Sequence, residues 1–252
     1  MNKGIIACLL LAWSGLALAE DIPAVLQWSQ RVELSPRVSG LVREVQVQTG
    51  QRASKGQPLV ILDNKRYQAQ ADEARAAVSK QREELAEAGR DLKRTQELYD
   101  RTVIATTELD QAKLRYARAR AQVAGAQARL TQEQKDLEDA VLRAPFDGVV
   151  VARLAEPGQN VVVGLQPQPL IIFAKAGEMV ARAQLSESQI ARLKAGQGVT
   201  VVVGKQSYPG TIKTLGLEPA AGKDQQATYP VEVVFAVQEI LRAGSGATLK
   251  LP

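Results

Sequence analysis

Histidine is absent from the 252 residues and the one cysteine is Cys8, so the side chains that most often serve as nucleophile, general base or soft metal ligand are almost entirely missing. Neither a Ser-His-Asp nor a Cys-His constellation can be assembled. Zinc and copper lose their usual ligands for the same reason, Met179 is the only methionine besides Met1, and neither a metal nor another cofactor is expected. The stretch GVTVVVGKQS at 198–207 approaches a phosphate loop, but it has five residues between its glycines instead of four. It also carries Gln206 where Ser or Thr must stand, and its valines suit a strand. Glu108 and Asp110 form a carboxylate pair of the kind that does acid–base work, yet they lie in a segment so charged that a solvated face is the plainer reading. The chain reads as a protein that is not an enzyme.

Its business is therefore with partners, and the charge pattern narrows them. The net charge is +5, from 32 basic and 27 acidic residues. The basic residues alternate with acidic ones and form no continuous stripe, which disfavours nucleic acid.

Most of that alternation falls in a proline-free, Ala-rich stretch from Lys65 to Ala140. Ala71, Val78, Leu85, Leu92 and Tyr99 recur every seven residues, with Ala74, Gln81, Ala88, Thr95 and Thr102 on a second position. The phase is lost near Asp100 to Thr107 and restarts: Leu109, Tyr116, Val123, Leu130 and Leu137 hold one position, and Ala112, Ala119, Ala126, Glu133 and Ala140 the other. Two heptad seams of equal length predict two helices that face each other as an antiparallel coiled-coil hairpin. Its tip is expected near 101–107, with Thr106 or Thr107 as N-cap of the second helix and Glu108 or Gln111 as capping-box partner. At about 1.5 Å per residue each arm reaches roughly 55 Å.

The segments flanking this stretch are two copies of one pattern. Gly40 and Gly50 are ten residues apart, as are Gly148 and Gly158, a Gln follows the second Gly of each pair, and Pro58-Leu59-Val60-Ile61-Leu62 answers Pro169-Leu170-Ile171-Ile172-Phe173. A repeat at matched spacing predicts two equivalent sets of short strands. Neither copy holds enough apolar surface for a core, so the two are expected to close on each other as a small sandwich, bringing Asp63 and Val141 together at the root of the hairpin.

This split repeat around a helical hairpin resembles the HlyD-type periplasmic adaptors, also called membrane fusion proteins, over residues 30 to 251. It is most similar to adaptor subunits of resistance-nodulation-division efflux pumps, whose hairpin arms have similar length. The resemblance implies an α+β, elongated multidomain fold: an antiparallel coiled-coil hairpin (64–141) inserted in a lipoyl-like β-sandwich (35–63 and 142–174), then a small antiparallel β-barrel (175–252) completed by an N-terminal strand (20–34). It implies a periplasmic adaptor that bridges an inner-membrane transporter and an outer-membrane channel for export of drugs or other small solutes. Self-association in the assembled pump is implied too. An adaptor of an ATP-driven exporter or type I secretion system shares the architecture and is the alternative. Family tips carry an Arg, a Leu four residues later and a Ser seven beyond; Arg94 and Leu98 match, the third position is Ala105, and Thr106 follows. Arg94, Leu98 and Thr106 are the expected partner-binding residues. Neither Arg94 nor Leu98 falls on a seam position, and together they offer a multi-donor fork beside an apolar anchor. A lipoyl or biotin carrier is the rival class, but carriers present the modified Lys on a tight turn between half-motifs, whereas Lys65 stands at a helix start.

Residues 1–19 have Lys3, an apolar run from Ile5 to Leu18 and Ala17-Leu18-Ala19, the features of a secretory signal peptide. The run is too short to span a bilayer, so a protein soluble in the periplasm of a Gram-negative bacterium is expected, held at the inner membrane through its transporter. Beyond residue 175, strands are predicted at 178–184, 199–203, 209–217, 229–237 and 247–251. A short helix is predicted at 187–194 behind Ser186. The further membrane-proximal domain of many pump adaptors is not expected within these residues.

Overall fold

The structure is a computed structural model and describes residues 20–164, 166–219 and 227–251; the expected signal peptide lies outside them. In chain order, β1 (Glu20–Trp28), β2 (Arg31–Leu34), β3 (Gly40–Val45), β4 (Arg52–Ala53) and β5 (Pro58–Leu62) lead to α1 (Lys65–Asp100) and α2 (Thr106–Asp139). Then come β6 (Val141–Arg143), β7 (Gly148–Arg153), β8 (Asn160–Val161), β9 (Ile171–Lys175) and β10 (Glu178–Ser186). The short α3 (Glu187–Ile190) precedes β11 (Gly198–Val203), β12 (Gln206–Leu215), β13 (Thr228–Ala236) and β14 (Gly246–Leu251). The chain divides into two compact units, one from the segments on either side of Arg31–Lys175 and one from Arg31–Lys175 itself.

In the second unit two four-stranded sheets, ordered β2-β9-β7-β4 and β6-β5-β3-β8, stack on a shared core. The repeat explains the order. β3 and β7 occupy equivalent places in the two copies, as do β4 and β8, and β5 and β9. β4 of the first copy pairs with β7 of the second, and β8 of the second pairs with β3 of the first. The exchange extends to single bonds: Gly50 N donates to Val150 O and Gly158 N to Val42 O, both at 2.8 Å. Phe173, Leu170, Ile171, Leu59, Leu62, Val42 and Val150 fill the interior at full burial.

The glycine–glutamine pairs set the turns. Gly50 and Gly158 have φ of 84° and 87°, where a side chain is strained. The Gln after each closes the turn twice: its N–H donates to the carbonyl three residues back, and its Oε1 accepts that residue's N–H, from Gln48 at 2.9 Å and Glu156 at 3.1 Å. Gly56-Gln57 and Gly196-Gln197 make the same turn.

The helices α1 and α2 run antiparallel, with Arg115 of α2 bonded to Asp91 of α1 and Gln127 to Arg82. Ala71, Ala74 and Val78 on α1 and Leu109, Ala112, Ala119 and Leu130 on α2 are buried, all on the predicted seam positions. Leu85, Leu92 and Val123 are only half-buried, because two helices alone supply no second layer to cover the larger side chains. Gln81 brings an amide into the seam, and its Oε1 is buried without a protein partner. At the root, Tyr67 joins the core between the sheets and its hydroxyl donates to Ser39 O at 2.6 Å, while Leu62 N donates to Ala140 O at 2.9 Å.

The first unit is a closed antiparallel barrel, β1-β10-β13-β12-β11-β14, with Leu26, Met179, Leu185, Val201, Ile212, Phe235 and Leu249 inside. The stretch 198–207, the near miss to a phosphate loop, is the end of one strand and the start of the next around Gly204. Two expectations need correction. Residues 31–34, expected in the barrel strand, pair with Ile171–Ala174 of the sandwich, because the break at Ser29-Gln30 lets the extended chain change sheets. The helix expected over 187–194 ends at Ile190; beyond it Arg192 N and Leu193 N bond only three residues back, to Gln189 O and Ile190 O, and the Lys194–Gln197 turn follows at once.

The copies differ at one place that matters for stability. A Cβ at Gly148 would lie 2.3 Å from Ala174 O and 2.5 Å from the Phe173 ring, whereas one at Gly40 comes no nearer than an ordinary 3.5 Å, to Leu62. Gly148→Ala should therefore cost about 2–3 kcal/mol and Gly40→Ala under about 1 kcal/mol by thermal melting. In the helix pair, Leu130→Ala should cost about 2–4 kcal/mol, and Leu85→Ala clearly less because it is already half in water. Equal melting temperatures for the two leucine variants would contradict the observed seam.

Candidate functional site

The loop between α1 and α2 is short and tightly hydrogen-bonded. Thr102 N donates to Tyr99 O at 2.8 Å and Val103 N to Leu98 O at 3.0 Å. These two bonds are the Schellman arrangement, which demands a left-handed residue at the position held by Thr102. Thr102 has φ of 59° and is the only non-glycine residue with positive φ among the described residues. A β-branched side chain there is strained. Thr102 had been assigned to the seam; it is exposed in the loop instead, because the chain must turn before the next seam position is reached.

That motif usually brings an apolar contact between the residues in the places of Leu98 and Val103. Here they are 37% and 65% exposed, so the turn presents apolar surface to solvent. Thr106 opens α2 as its first helical residue. The cap position falls to Ala105, in extended conformation and without a side-chain bond, which corrects the expected Thr106 or Thr107 cap. The reason is in the backbone: Ala105 is the last extended residue and its carbonyl accepts from Glu108 N at 3.1 Å, so Thr106 already stands inside the helix, with its hydroxyl 3.5 Å from Tyr99 Oη.

Arg94 lies one turn before Leu98 on α1 and is 71% exposed. Its Nη2 donates to Asp91 Oδ1 at 3.0 Å, and the other oxygen of Asp91 accepts from Arg115 Nη2 of α2 at 2.7 Å. Arg115 first and Arg94 second hold the Asp91 carboxyl below its usual range. Sequence reasoning named Arg94 and missed Asp91, Arg115 and Val103. The i,i+3 spacing of Asp91 and Arg94 was a readable signal. The partnership with Arg115 required the register of the two helices.

Beyond this tip, the hairpin root carries a second charged cluster: Lys135 donates to Asp139 at 2.8 Å, raising its own pKa, and Arg37 lies 3.9 Å from the same carboxylate. These groups line an open cleft of about 580 Å³ with Glu33, Glu138 and Arg143. Its charges are mutually compensated. Lys65 is the first residue of α1, with its N–H on Asp63 Oδ1 at 3.2 Å, and does not stand on a turn between strands as a carrier lysine must.

The interleaved sheets and the helix pair between β5 and β6 match known proteins. Residues 30–164, more than half of the chain, match the family described as CzcB-like, barrel-sandwich hybrid domain. Among curated relatives, the pyoverdine export membrane fusion protein PvdR of Pseudomonas putida is 31% identical over 220 residues, covering 79% of the chain and 55% of PvdR. The chain belongs to the membrane fusion protein family. The macrolide export protein MacA of Yersinia pestis is 28% identical over 204 residues, covering 74% and 55%. The chain thus spans about half the length of these relatives. In fold, it matches the membrane fusion protein Spr0693 of Streptococcus pneumoniae with a TM-score of 0.72 at 19% identity, covering 92% of this chain and 98% of that one.

The strained turn generates a direct test. Thr102→Gly should stabilise the helix pair by about 0.5–1 kcal/mol, the relief of left-handed strain less the extra freedom of Gly in the unfolded chain. Helical melting by circular dichroism reads it, and a loss of stability would contradict the assigned turn.

Proposed function

We propose that this membrane fusion protein is a periplasmic adaptor without catalytic activity, bridging an inner-membrane transporter and an outer-membrane channel for the export of small organic solutes. The observation that carries the reading is the pairing of an interleaved two-copy sandwich with a 36- and 34-residue helix pair that exposes Arg94, Leu98 and Val103 at and near its connecting turn. Family membership supports it, as do relatives named for macrolide export and pyoverdine export. Among the described residues no helix is long and apolar enough to cross a membrane.

In this reading the helix pair is a coiled-coil hairpin (64–141) inserted in a lipoyl-like sandwich, residues 1–19 are a signal peptide, and the barrel follows from 175. The transporter is of the resistance-nodulation-division class by arm length. Several copies of the chain assemble around it. The turn is the docking site for the channel, with Arg94 as the charged contact, Leu98 as the apolar anchor and Thr106 beside them.

The test is genetic and biochemical together. In a strain deleted for this gene but holding its transporter and channel, wild-type protein should restore export. Arg94→Asp, by reversing the outward charge, should weaken channel docking more than tenfold with helical melting nearly unchanged. Restoration of full export by both Arg94→Asp and Leu98→Ser, at normal expression, would remove the turn from the docking reaction. Co-purification with an ATP-driven transporter instead would replace the transporter class and leave the docking site standing.

A further inference from the structure

Arg94 is not a lone cation on one helix, because its anion is shared. Asp91 is 28% exposed and lies between the arms, with one carboxylate oxygen bonded to Arg94 of α1 and the other to Arg115 of α2. Arg115 is 53% exposed. Each guanidinium carries five N–H donors in a planar fork, and the bonds to Asp91 engage only Nη2 of each. Both side chains are more than half exposed, which leaves the remaining donors of two opposite helices open to solvent. Two cations on one anion leave this cluster one positive charge, set behind the exposed carboxylates Glu97, Asp100, Glu108 and Asp110 nearer the turn.

A plain interhelical clamp does not account for this. Asp91 and Arg115 alone would tie the arms together, and Arg94, on the same helix as Asp91, adds nothing across them. A clamp is also better built away from solvent-exposed side chains, where screening weakens it. What the third residue adds is a second fork held beside the first, on a frame rigid enough to give both a defined spacing.

We propose that Asp91 is a positioning residue of the docking turn and Arg115 its second recognition residue, the shared carboxylate holding one guanidinium from each arm so that together they fit closely spaced carboxylates on the channel's periplasmic end. This rests on the docking role given to the turn above and extends it from one helix to both. Planar forks favour carboxylates by bidentate pairing, and the two guanidinium groups on one shared carboxylate give this cluster a local positive charge complementary to carboxylates.

The experiment is surface plasmon resonance of the full-length protein on the outer-membrane channel of its export system, purified in detergent and immobilised, at low and high salt. Arg115→Ala should weaken binding about tenfold and Asp91→Asn about fivefold, with Asp91→Glu recovering most of the loss. The wild type should lose affinity with added salt more steeply than Arg115→Ala. Should Asp91→Asn lower helicity, Arg115→Lys keeps the charge and the ion pair but removes the fork; a loss of binding in that variant supports the proposal and wild-type binding overturns it. Wild-type affinity in Arg115→Ala and Asp91→Asn, while Arg94→Asp fails to bind, would overturn the two-arm surface and leave the single-arginine turn intact. Wild-type affinity in all of them would overturn the docking role of the turn itself.

Discussion

Everything in the second unit depends on backbone bonds exchanged between two half-motifs that stand about a hundred residues apart. Val150 N donates to Gln51 O and Val42 N to Gln159 O, mirroring the Gly50 and Gly158 bonds on the same two strands. Each sheet therefore contains strands from both copies, and neither copy can complete its ladder or its core alone. An unpaired buried backbone group costs as much as a lost hydrogen bond, so the unit closes as a whole or not at all. The long intervening segment does not make closure prohibitive, because it folds on itself locally as two antiparallel helices and delivers Ala140 next to Leu62.

The same arrangement leaves the far end of the helix pair thinly supported. Near the root Tyr67 and Ala140 share the sandwich core. Farther out the seam offers mostly alanines and half-buried leucines, and the turn is closed by a strained Thr102. Among the described residues one ion pair joins the arms, from Arg115 to Asp91. Its carboxyl is held below the ordinary range by Arg115 and Arg94. The stability from that pairing is present above the usual carboxylate range and is lost only as pH falls through the depressed value. Across neutral and mildly acidic conditions the Asp91 carboxylate therefore stays charged and paired.

Much of this was legible because it is periodic. Heptad spacing alone named Ala71, Ala74, Val78, Leu109, Ala112, Ala119 and Leu130, and all are buried. The matched Gly-Gln spacings marked the repeat, and the positive φ of Gly50 and Gly158 supplies the physical reason for it. What was not legible depended on competition between neighbours. A Thr is a good cap in general, but the backbone is still extended at Ala105, which takes the cap position and leaves Thr106 inside the helix. The strand at 31–34 gave no local sign of which sheet it would join, because an extended, half-polar tetrapeptide fits either. Asp91 and Arg115 are ordinary charges in a charged segment until the helix register sets them 2.7 Å apart.

The central functional claim is that partner recognition resides at the turn and not along the helices. It is tested most directly by placing a photo-crosslinking residue at single exposed positions along α1, the turn and α2 in cells that hold the complete export system. Crosslinks to the outer-membrane channel should come from positions around Arg94, Leu98, Val103 and Thr106 and be absent from mid-helix positions such as Lys80 and Gln122. Channel crosslinks from the mid-helix positions with none from the turn would contradict the account.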